Sequence, residues 1–331
     1  VRAFAESCGL PALRGKPPFG GHVMSHDYVE AAMLARSGWI VRLDDDLGGS
    51  YEEGPENIVD HAKRDRRWCQ GNLQHSRIIG APGLKAWSRF VFAQGIMAYI
   101  APLFWLGFIL ASIAAPLLAP PPDYFPTPGW PIPYFPPSEA SKAIGLAIGI
   151  FGLLLLPKIL IALRAAFTGR ARGFGGAGLA FASTIAELAF SSLTAPVLLM
   201  YATRSVLQVI MGRDGGWPTN NRGDGTLSVA GSFAASHWIV TIGLVGLFAT
   251  WAFAPGLLLW LLPVGLPMVF APIILWWSSK ASTSRLMSVP NEYSPAPVTV
   301  LHDAILARWT AIDEAEAEAE AANPHFELSN G

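Results

Sequence analysis

Of the 331 residues, 52% are hydrophobic and only 14% carry a charged side chain, and the mean hydropathy is +0.37. That balance excludes an ordinary soluble domain of this length and is normal for a polytopic membrane protein. A formal net charge of −1 excludes a strongly basic or acidic chain, so no nucleic-acid partner is implied.

The first 85 residues are the polar part. Cys8 and Cys69 lie far apart in it, imply no disulfide framework, and read as small buried thiols. Val1 to Lys16 lacks the basic start and apolar run of a signal peptide. With Val rather than an initiator Met in first place, the chain reads as a piece of a longer protein. Asp27 to Ser37 has a helical pattern with Val29, Ala32, Met33 and Ala35 apolar, and Trp39 to Leu43 reads as a short strand. Gly48-Gly49 and Gly54-Pro55 then break the chain before a helix from about Glu56 to Trp68. The block therefore reads as the C-terminal end of an α/β domain.

Residues 86–278 form the membrane part. Phe90 to Leu118 carries no charge and exceeds the roughly 20 residues that a spanning helix needs. A second span covers about 143–167, with Lys158 and Arg164 near its end, where basic side chains can reach the headgroups. The third and fourth, 232–253 and 256–277, are separated by Ala254-Pro255 and so make a tight helical hairpin. Between the two pairs, residues 178–211 are apolar but striped by Thr184, Glu187, Ser191 and Thr194, then by Tyr201, Arg204 and Gln208. If this segment lies in the interface rather than spanning, Lys85 and Arg89, Arg164 to Arg172, Arg204 to Arg222, and Lys280 and Arg285 all fall on one side. Four spans and one interfacial helix are expected on that ground. Residues 279–331, with alternating Glu and Ala from Ala311 to Ala322, read as a cytosolic, partly disordered tail.

Two polar constellations carry chemistry. One is the isolated Ser25-His26-Asp27 and the other is Arg64-Asp65-Arg66-Arg67-Trp68. Together with Gly21 to Met24, Ala31 to Trp39, Gly49 to Glu53 and the run to Gln74, these residues resemble the glucans biosynthesis glucosyltransferase H family, membrane synthases of osmoregulated periplasmic glucans. More widely the chain is similar to cellulose synthase and other processive, inverting glycosyltransferases. The resemblance implies an α-helical membrane bundle preceded by the end of a GT-A-type glycosyltransferase domain. Such enzymes place two interfacial helices after the catalytic domain, then two spans, an interfacial helix, a gating loop and two more spans. In that order residues 212–228, with Arg213, Trp217, Asn220 and Arg222, take the gating-loop position.

What the resemblance implies for the site follows residue by residue. An inverting transferase needs a carboxylate to take the proton of the attacking hydroxyl. Asp27 matches the last residue of the relatives' Thr-Glu-Asp motif, with Ser25 and His26 in place of Thr and Glu. Helix capping is the plain structural alternative for Asp27. Arg67 and Trp68 match the end of Gln-Arg-x-Arg-Trp, which lies near the acceptor end, whereas Arg64 and Asp65 replace Gln and Arg. Arg64 and Arg67 could offset diphosphate charge and Trp68 could stack on a sugar, the alternative being a solvated basic helix face. The implied partners are UDP-glucose, a growing β-glucan with a β-1,2 backbone, the lipid bilayer and an acyl carrier protein. A divalent metal, Mg²⁺ or Mn²⁺, is expected through residues upstream of Val1, and residues 1–331 alone are expected to be inactive.

Other signals weigh less. Asp44-Asp45-Asp46 resembles a metal-binding Asp-x-Asp but follows Asp27, whereas the family motif precedes the base, so it reads as a turn. His22 and His26 have metal-ligand spacing for a helix, yet Gly20-Gly21 opposes helix there and no metal site is expected. A polysaccharide transporter or export channel without transferase activity is the alternative from another class, and a purely structural membrane partner is a third.

Overall fold

The computed structural model describes all residues except 11, 45, 46, 48–51, 53, 121, 122, 127, 130, 136–139, 216–224, 283 and 323–331, with backbone alone at 316, 317 and 319–322. Two compact units emerge, Val1–Phe135 with Phe190–Ser282, and Pro136–Ala189 with Thr283–Gly331.

The first unit opens with α1 (Arg2–Ser7) and α2 (His26–Arg36). Asp27 in the first turn of α2 and Arg36 in its last complement the helix dipole. The helix stops where Gly38 turns to φ +92° and the Trp39 amide donates back to the Leu34 carbonyl. Next comes α3 (Ile58–Gln74), which runs past the expected end at Trp68 through a C-terminal end that is polar yet buried. Asn57 caps it, its side chain accepting from the Asp60 amide at 2.9 Å. α4 (Ala86–Leu118) is 33 residues long, about 50 Å at 1.5 Å per residue, which exceeds a hydrocarbon core of about 30 Å.

α6 (Ala177–Ile210) contributes its residues from Phe190 onward to this unit. It is followed by α7 (Val229–Phe253), α8 (Leu258–Val269) and α9 (Ala271–Ser278). The predicted hairpin is present, with α8 and α9 both packed along α7. The predicted fourth span is bent by 58° around Phe270. Pro272, which cannot donate to the carbonyl four residues earlier, accounts for the break. Val197 and Met200 of α6 meet Ile239, Met268, Ala271, Ile274 and Leu275 in the main apolar core, with Ile58 and Val59 of α3 packed against it.

The second unit contains α5 (Ala140–Phe167), the start of α6, α10 (Pro290–Tyr293) and α11 (Pro297–Ala322). Lys158 and Glu187 pair at 2.6 Å, and the Ser183 hydroxyl accepts from the Met287 amide. The Glu/Ala run is helical as far as Ala322, and residues 323–331 lie outside the described residues.

Among the described residues four helices, α4 to α7, are long and apolar enough to cross a membrane, or five if the bent α8–α9 pair is one span. α6, expected in the interface, meets the same criterion as the others. The expected α/β character of residues 1–85 is not seen. Trp39 to Leu43 is irregular and exposed, and among the described residues the only β pairing is an isolated bridge between Leu13 and Gly21. A strand is held by a neighbour's ladder, and no described segment supplies one here.

Gly243 and Gly265 let α7 and α8 approach closely. A Cβ on Gly243 would stand 2.8 Å from Met268 Cβ, whereas one on Gly246 would meet nothing within 4 Å. Gly243→Val should destabilise the hairpin by about 1–3 kcal/mol, and Gly246→Val should leave the melting temperature of the detergent-solubilised protein nearly unchanged.

Candidate functional site

A cavity of about 420 Å³ opens between the start of α2, the C-terminal half of α3 and one face of α4. Ser25, Asp27 and Tyr28 line it from one side, Trp68 and Asn72 from the second, and Gln94 and Tyr99 from the third. The structure thus brings together two residues that stand 41 positions apart in sequence and were singled out separately, Asp27 and Trp68.

Each is placed by buried polar packing. Gln74 is almost fully buried, and its Oε1 accepts from the Met24 amide at 2.9 Å while its Nε2 donates to the His22 carbonyl at 3.1 Å. Gly71 lies against the Ser25 turn, where a Cβ would overlap the Ser25 hydroxyl and come within 2.7 Å of the Ser25 nitrogen. Gly95 of α4 is similarly pressed onto the Asn72 side chain. Ser25 is the N-cap of α2 without a side-chain capping bond, so Asp27 falls in the first turn rather than at the cap. Its carboxylate is 78% exposed and 3.6 Å from His26 Nδ1, which also approaches Glu30 at 3.3 Å.

Arg64 stacks on Trp68, its guanidinium carbon 4.4 Å from the ring centroid, and reaches Glu52 at 3.6 Å. That covers one face of the indole, and Trp68 remains 44% exposed. Arg67 is half-buried and is not among the cavity's lining residues. Asp65 accepts from the Tyr99 hydroxyl at 3.0 Å, and burial pushes its carboxyl above the usual range. Cys69, fully buried beside it, has its thiol pushed up to about 12 by burial and the Asp65 charge.

Of the residues expected in the gating loop, Arg213 is described, and its carbonyl accepts from Arg66 of α3 at 3.2 Å. Gln70 holds the next two residues, donating to Asp214 at 2.9 Å and accepting from the Gly215 amide at 3.1 Å. Trp217, Asn220 and Arg222 lie outside the described residues, as do Asp45 and Asp46. Asp44 pairs with Arg42 at 2.9 Å. No group of three or more His, Cys, Asp or Glu suited to a metal ion occurs among the described residues.

Sequence reasoning missed the residues that hold the site. Gln70, Gly71, Asn72 and Gln74 stand in the run that carried the family resemblance, but a polar stretch at a helix end gives no signal of burial. His75 was missed as well. It is fully buried between Tyr28 and Phe92, with ring centroids at 5.9 and 4.6 Å. Burial pushes its pKa below the ordinary imidazole value.

A Cereibacter sphaeroides protein named glucans biosynthesis glucosyltransferase H is 69% identical over 317 residues, 96% of this chain and 53% of that protein. The chain belongs to the glucans biosynthesis glucosyltransferase H family. Proteins of the same name from Rhodopseudomonas palustris and Vibrio cholerae are 39% and 38% identical, over 90% and 91% of this chain and 42% and 43% of theirs. The chain spans about half the length of the curated glucosyltransferase H relatives it matches. No family model matches it.

The Gln74 clamp can be tested within this family member directly. Gln74→Leu strands the Met24 amide without its acceptor, at a cost of about 1–3 kcal/mol. Amide hydrogen exchange across residues 20–25 should rise in that variant while exchange in α7 stays as it was.

Proposed function

We propose that this chain is part of a processive, inverting glucosyltransferase that elongates a β-glucan from UDP-glucose and passes it across the bacterial inner membrane. The observation that carries the reading is the cavity shared by Asp27 and Trp68, next to helices long and apolar enough to cross a bilayer. Asp27 is the general base, taking the proton from the acceptor hydroxyl as it attacks the anomeric carbon. Its exposure suits a group that must meet substrate. Trp68 offers its uncovered face to the terminal sugar, and Arg64, stacked on the other face, fixes the ring's orientation. Gln94, Asn72 and Tyr99 supply the polar edge that hydroxyl-rich substrates need. Arg67 offsets charge on the departing diphosphate.

In this reading residues 1–85 close off a GT-A-type catalytic domain on the cytoplasmic side, and residues 212–228 serve as the gating loop. α6 lies in the interface, which keeps every basic cluster on one side. The relatives' name speaks of glucans, and the β-1,2 linkage and the acyl carrier protein belong to the reading on family resemblance alone. The resemblance implies that the donor nucleotide and its Mg²⁺ or Mn²⁺ are held, in the full-length protein, by carboxylates upstream of Val1.

Asn keeps the shape of Asp27 but cannot take the proton. Asp27→Asn in the full-length protein should cut glucan synthesis from UDP-glucose by about 10²–10⁴-fold while membrane insertion is retained. An export channel without transfer chemistry would be unaffected, and near-normal synthesis would sink the assignment. In the same assay Trp68→Ala, losing a stacking surface worth about 1 kcal/mol, should shorten the product and leave UDP affinity in place.

A further inference from the structure

A second, larger cavity, about 650 Å³, lies on another side of α3. It is bounded by Lys63 and Arg66 of α3, by the last turns of α6 through Tyr201 and Arg204, and by the first turns of α7 through His237 and Trp238. No Asp or Glu lines it among the described residues. Lys63 is neutralised from outside by Asp60 at 2.7 Å. Arg66 and Arg204 are different. Arg66 donates to the Arg213 carbonyl, and its Nε is buried without an acceptor among the described residues. Arg204 lies over the Trp238 ring at 5.1 Å, and neither arginine meets a carboxylate within 4.0 Å among the described residues. Two guanidinium groups on one cavity, with no carboxylate between them, repel each other unless an anion joins them.

The surroundings give the depth. α6 and α7 are long and apolar enough for the bilayer, and the cavity sits where the end of one meets the start of the other. On its far side is α3, whose charged stretch from Arg64 to Arg67 belongs outside hydrocarbon. Tyr201 and Trp238, in edge contact at 5.7 Å, are the aromatic types that gather at the membrane–water boundary. The Tyr201 hydroxyl and the Trp238 indole N–H both donate to the Ala235 carbonyl, which fixes the wall under Arg204.

We propose that this cavity is a binding site for a phosphate ester, with Arg204 as its exposed fork and Arg66 as its inner one. Planar guanidinium groups take phosphate oxygens two at a time, and a volume of this order accommodates a small ligand or a lipid headgroup. The site is separate from the sugar cavity and does not depend on the transferase reading. The shared chemistry has two sources, an anionic phospholipid headgroup or a soluble phosphate.

The full-length protein is placed in nanodiscs of phosphatidylcholine with and without phosphatidylglycerol, and retained lipid is counted by native mass spectrometry. Inorganic phosphate is titrated calorimetrically into the phosphatidylcholine discs as the soluble arm. Arg204→Gln should weaken whichever ligand binds by about tenfold, the loss of one charge-assisted hydrogen bond. Arg204→Lys keeps the charge without the fork and should fall between the two. Phosphatidylglycerol retention lost in Arg204→Gln assigns the lipid source, and phosphate binding lost in the same variant assigns the soluble one. Equal binding by wild type and Arg204→Gln, or no binding in either arm, overturns the proposal. An unchanged melting temperature of Arg204→Gln separates loss of ligand from loss of fold.

Discussion

The amide side chain of Gln74, satisfied from both ends by the backbone of residues 22–24, is the contact on which the candidate site depends. Loop backbone normally turns to water for its hydrogen bonds. Here a buried helix residue supplies them, and the segment leading to Asp27 is set by α3 rather than by its own sequence. Gly71 completes the arrangement by letting the helix backbone reach the Ser25 turn without an intervening side chain. Position is bought with burial of polar groups, which is tolerable only because Gln70, Asn72 and Gln74 all find partners.

α3 is thereby a strut with several attachments. Ile58 and Val59 root its start in the core of α6, α7 and α9, and Cys69 and Leu73 pack with Val206, Val209 and residues of α4. Gln70 and Arg66 hold residues 213–215, and Asn57 donates to the Gly225 carbonyl at 2.9 Å. One helix therefore carries the indole of the cavity that Trp68 shares with Asp27, clamps the loop that leads to Asp27, and fastens both described ends of the 213–225 segment. A change anywhere along it reaches more than one of these.

Apolar content and spacing made the membrane helices legible, because long uncharged runs have few other uses. α2 was legible for the same reason, its pattern of Val29 and Ala32 marking a buried face. Trp39 to Leu43 was misread, since apolar and β-branched residues suit a strand only where a partner edge exists. The bend at Phe270 was hidden within a run whose hydropathy is uniform, and Pro272 was its one trace. Asp27, Arg64 and Trp68 were singled out through family resemblance, and the structure places Asp27 and Trp68 on one cavity with Arg64 against the indole. The clamp was not visible, because burial of Gln74 arises from where the helix docks and not from anything local to it.

The close packing of Gly243 and Gly265 binds α7 to α8 through apolar surface, whereas α3 holds the Asp27 loop through a few directional bonds. Those two kinds of attachment respond differently to their surroundings. Local opening begins where few apolar contacts hold a segment, so the polar docking of the Asp27 loop opens at a lower free energy than the close-packed apolar seam. A preparation can therefore keep its full helical content after the cavity shared by Asp27 and Trp68 has come apart, so that circular dichroism reports an intact protein while the site has already been lost.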